Sequence, residues 1–281
     1  MKSTRVTIPS AFAAGVLMAL VIIVLARPAP VTAQTGPLKV AVETIVIGQS
    51  VMGQDLVVSC FGTGGRTALL AGGVHTGPEA VTVTLGLQVA DELRTGRLAI
   101  PRGVRVCVLP ALNPDGITLG THTNFRGVDL NRNWVAKNWS PFAWHPSTGI
   151  ASGGAEPLSE PETRALYQYI LETRPDAVLV WHCCGALVEA NQMPLAVALA
   201  SAYGVAARLP YLDVWRAYTI TGELIVSLDH LRIPAFDVEL RQSNDTALKE
   251  HVAALTAMLR HLATAPVAAR PAFSTPTLSP P

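Results

Sequence analysis

The sequence predicts a three-layer α/β/α sandwich around a mixed, mostly parallel sheet, organised as one main domain. Apolar strand-like runs alternate with helical segments along most of the chain, the pattern of a sheet covered by helices. A hairpin signal near the start adds antiparallel pairing to an otherwise parallel order. Apolar residues make up 49% of the 281 positions and charged ones 15%, which suits a sizeable core and argues against disorder outside the ends.

Each element has its own signal. Positions 44–61 read TIVIGQSVMGQDLVVSCF, two apolar runs about Gly53, and predict a β-hairpin. A strand over 67–70 runs on into Ala71-Gly-Gly-Val74. Pro78 opens a helix through Leu93, with Gly96 beyond its end, as first-turn proline and terminal glycine favour. Val104–Leu109 is an apolar strand, and a long loop follows from Asn113 to about Glu156. Ser159-Glu-Pro-Glu162 reads as a capping box that starts a helix toward Thr173. A buried strand is expected over 177–181, helices over 194–203 and 222–231, and a strand over Ala235–Leu240. The last helix, about 245–262, sets Leu248, Val252, Leu255, Leu259 and Leu262 on one face.

The ends are of different composition. Lys2 and Arg5 precede an uncharged, largely apolar run over 6–26, and Val31 and Ala33 supply small residues before a cleavage point. That is the layout of an export signal over 1–33. An uncleaved anchor is the alternative, because the run approaches the roughly 20 residues that span a bilayer. Pro9 and Ser10 shorten the effective apolar core and favour cleavage. The rest of the chain is therefore expected outside the cytoplasm, touching a membrane only if the segment is retained. A catalytic domain is expected over 38–264, with a loose tail rich in Pro, Ser, Thr and Ala over 265–281. A formal charge of +1, falling to −2 without residues 1–33, offers no polybasic stripe for nucleic acid. Cys60 and Cys107 lie in strand-like runs as buried thiols or one bridge. Cys183 and Cys184 lack the C-x-x-C partner that a metal site would have.

Ligands of open α/β sheets bind beyond the carboxyl ends of the strands. Those positions hold His75 and Glu79 after one strand, Asn113-Pro-Asp-Gly116 after the next, His182 after a third, and Glu239 within the last. Two imidazoles and a carboxylate form the donor set of a hydrolytic zinc site that keeps its fourth position for water. Glu239 is then the natural base for that water. Taken singly, each has a plainer explanation: a histidine after a strand is often a polar edge residue, and Glu79 suits a helix N-terminus. Their joint placement is what points to chemistry. The loop Arg126-Gly-Val-Asp-Leu-Asn-Arg-Asn-Trp134 crowds Asp129, Asn131, Arg132 and Asn133 together, and an arginine beside an asparagine suits capture of a carboxylate.

The segment Gly127-Val-Asp-Leu-Asn-Arg-Asn-Trp134 resembles the signature of the zinc carboxypeptidase family, which includes carboxypeptidase A and bacterial murein-peptide enzymes. The resemblance extends over roughly 47–240. It includes Ile47-Gly-Gln-Ser-Val-Met-Gly53, Ala111-Leu-Asn-Pro-Asp-Gly116 and Pro157-Leu-Ser-Glu-Pro-Glu-Thr163. It implies one zinc per chain held by His75, Glu79 and His182, a terminal carboxylate held by Asn131 and Arg132, and Glu239 as general base and acid. Tyr218, in Tyr-Thr-Ile-Thr-Gly222, matches a mobile tyrosine that closes over substrate. The substrate class implied is a peptide or a peptidoglycan-derived peptide, cleaved at its C-terminal amide by a monomer.

Three departures stand out. His75-Thr-Gly-Pro-Glu79 has one residue more than the family's usual His-x-x-Glu. His122 stands where the family commonly carries an arginine that polarises the scissile carbonyl, leaving His122 or Arg126 for that role. The family's His-Ser pair is His182-Cys183 here. Ile225 falls where relatives preferring basic or amino-bearing terminal residues carry an acidic one, which argues against a charged terminal side chain, although burial in a helix would explain an apolar residue there equally well. Two other functions fit less of the pattern: a zinc amidase or deacylase of N-acyl amino acids, and a peptide-binding domain of the same fold with weak or no catalysis.

Overall fold

The computed structural model describes residues 42–145 and 149–266. The expected export segment over 1–33 and nearly all of the expected tail lie outside them. The chain divides after Gly36, and every described residue belongs to the second unit. Among the described residues no helix is long and apolar enough to cross a membrane.

The expected hairpin is β1 (Val42–Gln49) and β2 (Asp55–Phe61), antiparallel, with Gly53 at φ +80° in the turn where a side chain would be strained. β3 (Arg66–Ala71) leads through a 3-10 turn, Gly77–Glu79, into α1 (Val81–Arg94), and β4 (Val104–Leu109) follows. The region read as a long loop carries structure of its own. It holds α2 (Pro114–Leu119), a 3-10 turn over Leu130–Arg132, and a small hairpin of β5 (Phe142–His145) and β6 (Gly149–Ser152). Then come α3 (Pro161–Thr173), β7 (Ala177–Cys183), β8 (Leu187–Ala190), α4 (Pro194–Ala207), β9 (Tyr211–Leu212), α5 (Leu224–His230), β10 (Ala235–Leu240) and α6 (Leu248–Thr264).

One mixed sheet of eight strands runs in the order β1-β2-β4-β3-β7-β10-β8-β9. Its centre, β4-β3-β7-β10, is parallel, and β2 and β8 flank that centre antiparallel. Side chains alternate between the two faces along each strand. Ala177, Leu179 and Trp181 of β7 pack with α1, α4 and α6, whereas Val178 and Val180 pack with α3 and α5. This is the three-layer α/β/α arrangement expected from the sequence. From β3 the chain passes first to β4 on one side and later to β7 on the other, so the crevice of this fold opens between β3 and β7.

The capping box does not form. Pro161 occupies the first turn of α3, and Glu160, with extended backbone, stands at the N-cap without a side-chain cap bond. Ser159 Oγ donates to Glu160 instead, and Glu162 accepts from the Val51 amide and Asn124 rather than folding back on the cap. The second expected helix over 222–231 shortens to α5, because Glu223 is extended and turned to another use. Cys60 and Cys107 face each other across β2 and β4 and are joined as a disulfide, the second of the two states read from sequence. Another disulfide joins the adjacent Cys183 and Cys184.

Candidate active site

His75 follows β3, His182 lies in β7 and Glu239 in β10, and the parallel register sets Glu239 directly beside His182. Glu79 reaches them through the stretched spacing. Gly77 adopts φ +58° and a Cβ there would lie 2.9 Å from the Gly120 carbonyl, so the chain can turn tightly into the Gly77–Glu79 turn. That turn brings Glu79 Oε1 to 3.2 Å from His75 Nδ1, and Glu79 Oε2 lies 3.6 Å from His182 Nδ1. One ligand atom from each of His75, Glu79 and His182 falls within 4.8 Å of the others, close enough to share a metal ion.

The opposite nitrogens of the two rings are held from behind. His75 Nε2 lies 2.8 Å from Asp129 Oδ1, and His182 Nε2 lies 3.5 Å from Asn131 Nδ2. A carboxylate can only accept, so with carboxylates at both nitrogens His75 donates from each; a metal at Nδ1 would take the place of that proton and leave the Nε2–H on Asp129. Burial alone would lower the His75 pKa, but the charges of Asp129 and Glu79 outweigh it and raise it to about 10. The pocket thus favours positive charge between these residues, as a divalent ion supplies. Glu79 is held well below the usual carboxylate range: burial opposes this, but His75, His122 and His182 prevail. Its Oε2 also accepts from the Cys183 amide at 3.0 Å.

Glu239 faces the same space, and its Oε2 accepts from the Gly185 amide at 3.0 Å. Burial raises its pKa, and the Glu79 charge adds to this while His182 opposes it. Arg132 is buried, donates from Nη1 to the Asn131 carbonyl at 2.9 Å, and leaves Nε without a partner. Asn131 spends its Oδ1 on the Leu224 amide at 3.2 Å, which ties the start of α5 to this loop. Tyr218 pairs with Arg132 and packs edge-on against Trp215 at 5.2 Å. Together these residues line a cavity of about 240 Å³. A larger cavity of about 880 Å³, bordered by Arg174, Met193 and Ile233, lies at the amino ends of the parallel strands and holds none of them. The smaller one is the candidate active site, since this fold binds ligands at the carboxyl ends.

Of three further residues singled out in the sequence, one lies at the site and two do not. His122 is at the site, stacked on His75 with ring centroids 3.8 Å apart and Nε2 3.3 Å from Glu79. Arg126 is turned to Glu160 at 3.6 Å with a side chain 54% exposed, so of the two replacements considered only His122 borders the metal residues. Ile225 is buried in the core beneath α5 and does not line the cavity. Residues not assigned a role from sequence do line it: Glu189, Trp215, Glu223 and Asp237. Only Asp237 had a legible signal, since it stands two positions before Glu239 in one strand and so shares its face.

The zinc carboxypeptidase family profile matches residues 38–190, more than half of the chain. The chain belongs to the zinc carboxypeptidase family. Murein peptide amidase A of Escherichia coli strain K12 is 32% identical over 151 residues, half of this chain and 60% of that protein. The Vibrio campbellii protein of the same name is 32% identical over 164 residues, 55% of this chain and 64% of that protein. The chain thus matches about three-fifths of the length of these curated relatives. Among solved structures, a murein-tripeptide amidase from Escherichia coli O157 superposes with a TM-score of 0.60 at 26% identity, covering 80% of this chain and 93% of that one. Bovine thrombin-activatable fibrinolysis inhibitor shares the zinc carboxypeptidase fold, with a TM-score of 0.66 at 18% identity over 79% of this chain and 90% of that one.

Proposed function

We propose that this chain is an exported zinc-dependent peptidase that hydrolyses the C-terminal amide of a peptide or peptidoglycan-derived peptide. The observation that carries the reading is the convergence of His75, Glu79 and His182 at the β3–β7 crevice with Glu239 facing the same space. Zinc bound by such a donor set lowers the pKa of its water from 15.7 toward about 7.

Each residue has a task in that reading. Asp129 and Asn131 orient the two imidazoles from behind. Glu239, with its pKa raised by burial, takes the water proton and returns it to the leaving amine. Arg132 offers its unpaired Nε toward the terminal carboxylate, and a guanidinium fork is the best match for one. Tyr218 covers the bound end. His122 stands beside the metal residues to polarise the scissile carbonyl, and it can donate to an oxyanion when protonated. The murein-peptide relatives favour a peptidoglycan-derived peptide over a protein substrate.

Export is supported by the charged start, apolar run and small residues of 1–33, and by the Cys60–Cys107 disulfide, which suits an oxidising compartment. Cell fractionation should recover the chain outside the cytoplasm, shortened after Ala33 or held at the membrane; full-length soluble cytoplasmic protein would remove this part.

The test of the chemistry is metal content with peptide digestion. About one zinc per chain and chelator-sensitive release of a terminal residue are expected, and Glu239→Gln should fold, keep zinc and lose turnover. A metal-free active protein, or a Glu239→Gln variant of undiminished rate, would overturn the mechanism.

A further inference from the structure

The cavity at the amino ends of the parallel strands is built where those strands begin. Arg66 opens β3, Asp176 precedes β7 and Pro234 precedes β10. The candidate active site lies at the other end of β7, a strand of seven residues and so roughly 20 Å away. At about 880 Å³ this cavity falls within the range of sites that hold small molecules. Its floor is apolar, made by Met193, Leu195 and Ala198 at the start of α4 and by Ile233 and Pro234 before β10.

The rim carries charge of mainly one sign. Arg66, Arg174 and Arg232 stand around it with a single carboxylate, Asp176, although the whole chain balances 21 Lys and Arg against 20 Asp and Glu. His261 adds a fourth basic group. Asp176 accepts from the Thr67 amide at 2.8 Å, and Arg66 donates to the Leu262 and Ala265 carbonyls at the end of α6, so these two brace the rim. Arg174 and Arg232 stand at the ends of α3 and α5 with left-handed backbone, φ +45° and +52°, where glycine is least strained. The chain carries arginine at both, and both border the same cavity. Arg174 is half-buried and reaches the Leu231 carbonyl at 3.4 Å, whereas Arg232 is exposed. α4 adds positive potential, since its N-cap residue, Met193, makes no side-chain bond to the first turn.

An apolar floor alone would suit any greasy group, and cations alone any anion. Together they select a ligand that has both parts. A guanidinium binds phosphate or carboxylate through paired N–H donors while its stem lies along apolar surface. The walls surround a volume rather than present a flat face, which suits one molecule better than a bilayer. We infer that this cavity binds an amphiphilic anion: an aliphatic chain lodged against Met193, Leu195, Ala198 and Ile233, its terminal phosphate or carboxylate held by Arg174 and Arg232. The site shares no residue with the cavity of His75, Glu79 and His182, so binding here does not require zinc.

Calorimetric titration of the full-length chain with dodecyl phosphate and dodecanoate, each kept below micelle formation, tests the site. At least one of them should bind one molecule per chain, about 10-fold or more tighter than dodecanol or inorganic phosphate, because hydrogen bonds to a charged group add to the apolar contact. Arg232→Gly removes a cation where the backbone favours glycine, so its melting temperature should hold. The advantage of the anion over dodecanol should fall about 10-fold in this variant, with dodecanol binding unchanged. Ala198→Phe, checked for an unaltered melt, should fill the floor and abolish binding of all three aliphatic compounds; if it does not fold, Arg232→Gly decides alone. Dodecanol bound as tightly as the anions, or inorganic phosphate as tightly as dodecyl phosphate, would overturn the two-part site. So would wild-type affinity in Arg232→Gly, or binding that survives Ala198→Phe, which would place the amphiphile elsewhere, as on the apolar run over 6–26. Binding to vesicles of anionic lipid but to neither soluble anion would assign a bilayer contact and overturn the cavity.

Discussion

Asp129 shows how much of the candidate site depends on residues behind the cavity wall. Its Oδ1 accepts from His75 Nε2 and from the Asn131 amide, so one carboxylate orients a metal-facing imidazole and caps the turn that carries Arg132. Asn can cap a turn as well as Asp, so Asp129→Asn keeps the loop while removing the charge behind His75. Loss of such a partner commonly costs about 10–100-fold in metal affinity, and chelator competition should show a fall of that order in this variant. A second prediction concerns Glu189, whose pKa is raised to about 7 by burial and by Glu223 and Glu239, against the Trp215 amide that it accepts from. An acid with a raised folded pKa binds more protons folded than unfolded, so its stabilising share is complete below about 4.5 and lost as pH rises through 7. Glu189→Gln should therefore gain stability relative to wild type as pH rises across that window, read as the difference in urea midpoints; a constant difference would show that Glu189 is not repelled in the folded state. His75, Glu79, His182 and Glu239 were legible because strand ends mark them. Glu189 and Glu223 were not, since they approach Asp237 only through the antiparallel β8–β10 register and the extended backbone before α5, neither of which leaves a local pattern.

At the scale of elements, β7 serves two layers at once. His182 faces the cavity layer, and its neighbour Trp181 faces the helices, where Trp181 Nε1 donates to Tyr203 Oη at 3.2 Å on α4. Tyr203 in turn lies 2.6 Å from His251 Nδ1 on α6. A hydroxyl that accepts from tryptophan is free to donate onward to neutral histidine, so the chain links strand, α4 and α6 through the core. Burial lowers the His251 pKa to about 4, with Arg241 acting in the same direction and Glu250 against it. The depressed value means that the folded state binds fewer protons, so this contribution is complete above about 6.5 and lost as pH falls toward 4. Tyr203→Phe strands the indole donor and the imidazole acceptor and should lower stability by about 1–3 kcal/mol in denaturant melts at pH 8. In His251→Gln the acid limb between those two pH values should flatten; an unchanged limb would assign acid sensitivity elsewhere. Elements with long apolar patterns, such as β4 and β10, were read to the residue. The two-residue β9 and the four-residue β8 were missed, being too short to show a period. The false capping box shows the limit of local motifs: Asn133 accepts from the Glu160 amide and from Thr163 Oγ1, so a distant loop residue satisfies the start of α3 that Ser159 was expected to cap.

The whole molecule is organised by where its sheet reverses direction. The antiparallel β1–β2 edge is joined to the parallel centre only through β2–β4, and the Cys60–Cys107 disulfide crosses that junction. The bridge spans 47 positions in sequence, for which restriction of the unfolded chain stabilises by about 4 kcal/mol at most, and about 2–4 in practice. β2 also carries Val58 and Cys60 into the core beneath α3, which packs on β1, so loosening this edge reaches one whole layer. The candidate metal residues follow β3 (His75, Glu79) or lie on β7 (His182), with Glu239 on β10, all on the far side of β4 from the hairpin. Cys60→Ala/Cys107→Ala should therefore melt several degrees lower, at about 2–4 °C per kcal/mol for a domain of this size, yet bind zinc with unchanged affinity at 25 °C. Equal losses of zinc affinity and melting temperature would mean that the hairpin and the β3–β7 crevice unfold as one unit. Loss of melting temperature alone makes the β1–β2 edge a brace of the scaffold, separable from the site it supports.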